Sequence, residues 1–128
     1  MGLLRGYDYL KFLESIRTGT IGLNMNSLEM LTTNQIGNLK IISGNGWGWS
    51  LGFSILTNPA EAKSPRGKGT YQWGGVWGHT WWVDPINKIT VVIFTNTAVE
   101  GMSGKFPEEI RDVIYYHINK KINTNHYS

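Results

Sequence analysis

The residues with the most chemical potential lie in one stretch, residues 69–85, which holds four of the six tryptophans and four of the sixteen glycines. Tryptophan buries a large area and fixes a sheet face, whereas glycine inside a strand typically marks a close approach by a ligand or another backbone. Trp73, Gly74 and Gly75 therefore predict a strand whose backbone is approached. Sheet packing of the same three residues is the alternative interpretation.

Histidine and cysteine add little to this chemistry. His79 follows the glycine-rich strand and is a candidate general base, with a packed or surface position as the alternative. His117 is expected on the buried stripe of a helix, and His126 in a tail. These positions lack metal-ligand spacing and the chain has no cysteine, so we expect no metal site, cofactor or disulfide.

The charge and hydropathy of the chain limit the kinds of partner that it can bind. The 128 residues carry a net charge of +3, but the basic residues are scattered, with no run longer than Lys120-Lys121, so we expect no nucleic-acid partner. Gly44, Gly46 and Gly48 lead into a strand and offer a phosphate no helix N-terminus. No apolar run is long enough to span a membrane.

The compartment is left open by the sequence. The first eight residues lack the apolar centre of a signal peptide, so a chain expressed as it stands is expected in the cytoplasm.

Two helices are predicted in the first third of the chain. Apolar residues at helical spacing indicate a helix over residues 8–18, with Asp8 as its cap. A second helix is predicted over residues 26–33, with Asn24 or Asn26 as its cap.

Strands dominate the middle of the chain. Strict alternation predicts one continuous strand over residues 46–56, with one face aromatic and the other small. Residues 58–69 are predicted to form a surface loop with a mobile tip. Further strands are predicted over residues 70–75, 79–83 and 89–96, the last covered on both faces because it is almost continuously β-branched.

A last helix is predicted from Pro107, and its buried stripe comprises Ile110, Val113, Ile114, His117 and Ile118. Residues 123–128 are expected to form a frayed tail. The whole chain is predicted to be one α+β domain, an antiparallel sheet flanked by helices.

Several segments, in order and at matching spacing, resemble the C-terminal part of the serine β-lactamase and penicillin-binding-protein superfamily, in particular its class C-like esterases and serine hydrolases. The segments are Gly2-Leu3, Asp8-Tyr9-Leu10-Lys11-Phe12, Met30-Leu31-Thr32-Thr33-Asn34-Gln35, Trp47-Gly48-Trp49-Ser50-Leu51-Gly52-Phe53, Tyr71-Gln72-Trp73-Gly74-Gly75 and Trp82-Val83-Asp84-Pro85. The resemblance implies a partial β-lactamase or transpeptidase-like fold that lacks the N-terminal catalytic portion.

The resemblance also implies a site. Trp73, Gly74 and Gly75 would be the third motif of the family, and the backbone N–H of Val76 one oxyanion donor, worth on the order of 3 kcal/mol. The first family motif, Ser-x-x-Lys, is absent from the chain. The second family motif is Tyr-x-Asn or Ser-x-Asn, and no Tyr-x-Asn occurs. Ser43-Gly44-Asn45 has the form Ser-x-Asn, but it precedes the Trp47 strand, where the family has no catalytic motif.

Three hypotheses follow from the missing nucleophile and base. The chain is a fragment of a hydrolase of esters, amides or β-lactams and is inactive by itself. Alternatively, it is a non-catalytic binding module that uses its Trp-rich sheet, or a subunit that completes an active site with a second chain. An acyl or β-lactam-like small molecule is the expected ligand of a completed site.

Association is the last expectation. In the resembled fold, N-terminal strands pair beside the strand predicted over residues 89–96. Left unpaired, that apolar edge predicts a homo-oligomer or a missing N-terminal partner.

Overall fold

The computed structural model describes residues 5–125, in which five consecutive antiparallel strands form one sheet of order β1-β2-β3-β4-β5. Helices lie against both faces, which confirms the predicted α+β class. The elements are α1 (Gly6–Arg17), α2 (Met25–Thr32), β1 (Trp47–Trp49), β2 (Ser54–Leu56), β3 (Tyr71–Gly75), β4 (His79–Asp84), β5 (Ile89–Phe94), α3 (Glu100–Ser103) and α4 (Lys105–Asn125). Gly2-Leu3, which contributes to the resemblance, and residues 126–128 of the predicted tail, with His126, lie outside the described residues.

Helix α1 packs on one face of the sheet. Leu13 and Ile16 are its buried residues, and they join Tyr71, Trp81 and Val83 in a single apolar cluster. Asp8 lies inside the first turn, and the cap position is taken by Arg5, whose side chain makes no capping bond. The predicted cap at Asp8 was therefore wrong, although a carboxylate in the first turn still favours the helix.

Helix α2 confirms one of the two predicted caps. The Asn24 side chain accepts a hydrogen bond of 2.8 Å from the backbone N–H of Ser27, so Asn24, and not Asn26, begins the helix.

The predicted continuous strand over residues 46–56 is two strands joined by a tight turn. The hydroxyl of Ser50 accepts from the backbone N–H groups of Gly52 and Phe53, at 3.1 and 2.9 Å. The backbone N–H of Ser50 also donates to the Phe53 carbonyl at 2.8 Å, which closes a hairpin. The alternating pattern was correct for a strand but did not show that Ser50 reverses it, and Leu51 is exposed at the tip.

Helix α4 covers the opposite face. Its buried residues are Pro107 and Tyr115, and Tyr115 clusters with Trp82 and Ile93. Val113 and His117 are exposed. The predicted stripe was therefore correct for Ile110, Ile114 and Ile118 and wrong for Val113 and His117. The helix begins at Lys105 and continues through Asn125, so residues 123–125 are helical and not frayed.

Strand β5 contributes to both clusters, since Val92 packs on the α1 side and Val91 on the α4 side. This double coverage is what its β-branched run predicted.

Asp84, at the end of β4, joins three parts of the fold. It is fully buried and accepts from the backbone of Gly67 in the loop, from Asn87 in the β4–β5 turn and from the Tyr115 hydroxyl of α4, at 2.8, 3.0 and 2.7 Å. Burial alone would raise the pKa of Asp84, but the hydrogen bonds from Tyr115, Asn87 and Gly67 outweigh it and hold that pKa below its usual value. The carboxylate is therefore ionised in the folded state at neutral pH.

Glu14 of α1 gives the fold an acid-sensitive contact. The hydrogen bond from Arg17 lowers the pKa of Glu14 to about 2, so the stabilisation is present above the unfolded pKa and is lost as pH falls from about 5 to about 2. Because the pair is partly exposed, we expect less than about 1 kcal/mol. Glu14→Gln should flatten this part of a plot of unfolding free energy against pH, measured by urea denaturation. An unchanged acid slope in the variant would contradict the assignment.

Candidate active site

The glycine-rich end of β3 has one free backbone edge. β4 pairs with β3 along its whole length, from Tyr71 to Gly75. β2 pairs with Tyr71 and Gln72 alone. Among the described strands, none therefore covers the other edge of Trp73–Gly75.

The two glycines are required by their own neighbours. A Cβ atom on Gly75 would overlap the imidazole of His79, and one on Gly74 would lie 2.8 Å from the His79 carbonyl oxygen and 2.9 Å from Met102 Cγ. Packing thus explains glycine at both positions. The groups that approach the backbone of Gly74 and Gly75 thus include His79 and Met102 of the same chain.

Gly75→Ala is expected to lower the free energy of unfolding by about 1–3 kcal/mol because the new methyl group overlaps the His79 ring. Chemical denaturation measures the loss. The matched control is the same substitution in a His79→Ala background, where the ring is gone and the loss should largely disappear. Strictly additive effects of the two substitutions would contradict this account.

The peptide after β3 is fixed at its carbonyl and free at its N–H. The Val76 carbonyl accepts from the Val99 N–H at 2.7 Å. The Val76 N–H donates to no acceptor within residues 5–125, and the side chain is half exposed. This is the arrangement that an oxyanion donor needs, namely a held peptide with an unused N–H.

Val99 makes that anchor through a strained backbone. Its φ of 64° and ψ of −56°, with a 2.8 Å bond from the Glu100 N–H to the Ala98 carbonyl, define the rare positive-φ γ-turn. A β-branched residue is a genuine outlier in this conformation.

Two exposed indoles lie near the end of β3. Trp73, on the strand with the free edge, is 48% exposed and meets Trp49 edge-on, with ring centroids 4.8 Å apart. Trp77, in the turn after β3, is 77% exposed and lies on the side of β4 and β5, beside His79 and Phe94.

The structure separates the other candidates from one another. His79 lies in a cleft with Tyr9, Trp77, Phe94 and Thr95, where its ring meets Phe94 edge-on and no serine or lysine is present. His117 is on the outer surface of α4.

The Ser-x-Asn candidate is placed elsewhere. Ser43 lines a cavity with Trp47 and Gln72, and its hydroxyl lies 3.2 Å from that of Ser54. No group of three His, Asp or Glu side chains in residues 5–125 could hold a metal ion. No helix in the same span is long and apolar enough to cross a membrane.

Two important side chains were missed from the sequence. Arg66, in the predicted mobile loop tip, is 8% exposed, and Tyr115 was omitted from the helix stripe. Tyr115 precedes Ile118 by three residues, and this helical spacing could have placed it on the buried stripe. Nothing local indicated that Arg66 would be buried.

Sequence comparison now defines the class: the chain matches the Beta-lactamase family over residues 6–113 and belongs to it. This confirms the predicted superfamily and the partial β-lactamase-like fold.

Two relatives make the class more specific. The chain is 40% identical over 108 residues to Esterase EstB from Burkholderia gladioli, a match that covers 84% of this chain and 28% of the esterase. A solved structure, "EstCE1, a hydrolase with promiscuous acyltransferase activity", superposes with a TM-score of 0.80 at 41% identity and covers 86% of this chain and 29% of that one. The chain thus spans less than a third of the length of either relative. Both relatives are hydrolases by name.

Proposed function

We propose that this chain forms the strand wall and one backbone oxyanion donor of a serine hydrolase site that acts on carboxylic esters. The observation that carries the proposal is the free edge of β3 at Trp73–Gly75, followed by the unused N–H of Val76. The names of the two relatives, an esterase and a hydrolase with acyltransferase activity, favour an ester over a β-lactam.

The chemistry needs parts that the 128 residues do not contain. Attack on an ester carbonyl gives a tetrahedral oxyanion, which the Val76 N–H would stabilise. The chain has no Ser-x-x-Lys, so the nucleophile, its base and the second donor must come from another polypeptide segment. We therefore propose that the chain is inactive by itself and that the acyl group lies along Gly74 and Gly75 in the completed site.

A hybrid protein tests this function. The 108 residues of Esterase EstB that match are replaced by their counterparts from this chain, and hydrolysis of p-nitrophenyl butyrate is measured. We expect an active hybrid that reacts with a fluorophosphonate probe, and no reaction of the separate chain. A folded hybrid without activity, or a probe-reactive separate chain, would overturn the proposal.

The exposed indoles favour a second candidate, a non-catalytic binding module. Trp73 and Trp77 present flat faces of the kind that stack on sugar rings or aromatic ligands. Saturable shifts in tryptophan fluorescence across a panel of oligosaccharides would support this function. A complete absence of shifts would remove it.

We also propose that the chain self-associates through β5. This strand is the last in the sheet, and exposed Phe94 extends its apolar surface. Light scattering at micromolar concentration should give a dimer or larger species, and a monodisperse monomer would contradict the proposal.

A further inference from the structure

A polar cavity of about 380 Å³ lies on the sheet face opposite α1. It is bounded by Trp47 of β1, Gln72 of β3, Trp82 of β4 and Arg111 of α4, with Arg66 of the loop at its inner wall. Gln72 follows Tyr71 of the α1 cluster, so its side chain points away from that cluster. The cavity borders Gly74 of β3, since Met102 lines the cavity and lies 2.9 Å from the position of a Cβ on Gly74. Its size is within the range of small-molecule sites.

Arg66 is a largely buried cation that forms no ion pair within residues 5–125. Its Nε donates to the Ser64 hydroxyl at 3.0 Å and its Nη1 to the Gln72 side-chain oxygen, both neutral acceptors. The carboxylates of Asp84 and Asp112 act on the guanidinium only from beyond ion-pair distance. Its Nη2 has no acceptor in the same span, so this nitrogen is available to a ligand.

The position of Arg66 is fixed by its neighbours. The backbone N–H of Gly67 is bound to Asp84, and a Cβ on Gly67 would lie 2.6 Å from Asp84 Oδ1, so no side chain fits there. The guanidinium carbon lies 5.1 Å from the Trp47 ring centroid and 5.5 Å from that of Trp82. The guanidinium therefore packs against both indoles, which restricts its orientation.

The surrounding charges favour a small monovalent group. Arg111 brings a second guanidinium to the cavity, bound at 2.9 Å to Asp112, while Glu108 also lines the wall and Asp84 is committed behind it. Burial, and next the proximity of Arg111, lower the pKa of Arg66 to about 10, so it remains charged at neutral pH. A doubly charged phosphate would be repelled by Glu108, Asp112 and Asp84, whereas a single carboxylate carries less negative charge into the cavity.

We propose that this cavity is a binding site for the carboxylate of a small organic molecule, held by Arg66 with Arg111 as the second cation. A carboxylate matches the planar fork of a guanidinium. The indoles of Trp47 and Trp82 flank the apolar part of the ligand. This proposal does not depend on the proposed ester chemistry, because carboxylate binding uses the guanidinium groups of Arg66 and Arg111 and not the Val76 N–H.

Titration of the 128-residue chain with sodium acetate and sodium succinate, at constant ionic strength, tests the site. Trp47 and Trp82 flank Arg66, so we expect a saturable change in tryptophan fluorescence, confirmed by calorimetry. Acetamide has the same shape as acetate but no charge and should produce no saturable change. Inorganic phosphate should bind at least several-fold more weakly than succinate.

Variants assign the binding to the cavity. Arg66→Lys keeps the charge but loses the fork and should weaken carboxylate binding by at least 10-fold. Arg111→Gln, which replaces a partly buried side chain of α4, should weaken it about 3-fold and provides a second test if Arg66→Lys does not fold. Arg17→Gln, on the α1 side, is the matched control and should leave binding unchanged. Equal responses to acetate and acetamide, tighter phosphate binding, or unchanged affinity in a folded Arg66 or Arg111 variant would overturn the proposal.

Discussion

Val76→Pro in the hybrid esterase is expected to lower kcat by roughly 100- to 1000-fold, with little change in KM, because it would remove the N–H that we propose as an oxyanion donor. Proline lacks the backbone N–H but keeps the carbonyl, which can still accept from Val99. Gly75 is extended in β3, the conformation that a residue before proline requires, so the strand tolerates the substitution. The rate of ester hydrolysis at saturating substrate measures the effect.

Val76→Ala is the matched control, since it shortens an exposed side chain and retains the N–H. Both variants should have the circular dichroism spectrum of the parent hybrid. A proline variant within about 3-fold of the alanine variant in kcat would exclude Val76 as the donor.

The second large effect concerns stability. Asp84→Ala is expected to lower the free energy of unfolding by about 3–5 kcal/mol because it leaves the buried Tyr115 hydroxyl and the partly buried N–H groups of Gly67 and Asn87 without an acceptor. Tyr115→Phe removes one of these bonds and should lower it by about 1–3 kcal/mol. Urea denaturation of the purified chain gives both values.

Glu61→Ala is the control for these measurements. Glu61 is an exposed acidic residue of the same loop region, and its replacement should change the unfolding free energy by no more than about 0.5 kcal/mol. A loss below about 1 kcal/mol in Asp84→Ala would show that the three elements do not depend on this carboxylate.

The spacing of apolar residues along the sequence was sufficient to predict the fold class and most of the helices and strands. Helical spacing around Leu13 and Ile16 predicted α1, and the β-branched run predicted β5, because each element buries a face that its own sequence specifies. The order of the motifs predicted the superfamily. These are properties of consecutive residues, which a single sequence contains.

Features that depend on distant residues were not predictable in this way. Ser50 continues a perfect alternation, but its hydroxyl and its backbone N–H both bond across a turn that reverses the chain. Arg66 is buried because Gly67 is bound to Asp84, 17 residues away, and because two tryptophans from different strands flank it. For the candidate site, the sequence predicted the strand but not that His79 and Met102 fill the space above its glycines.

The γ-turn at Val99 affects both the stability of the fold and the position of the Val76 peptide. A valine held at positive φ costs about 1–3 kcal/mol, which glycine at that position would largely avoid. Yet the same turn holds the Val76 carbonyl, and a more flexible residue would loosen it. In the hybrid esterase, selection for heat resistance and selection for turnover should therefore favour different residues at position 99, and a library varied there would separate the two properties.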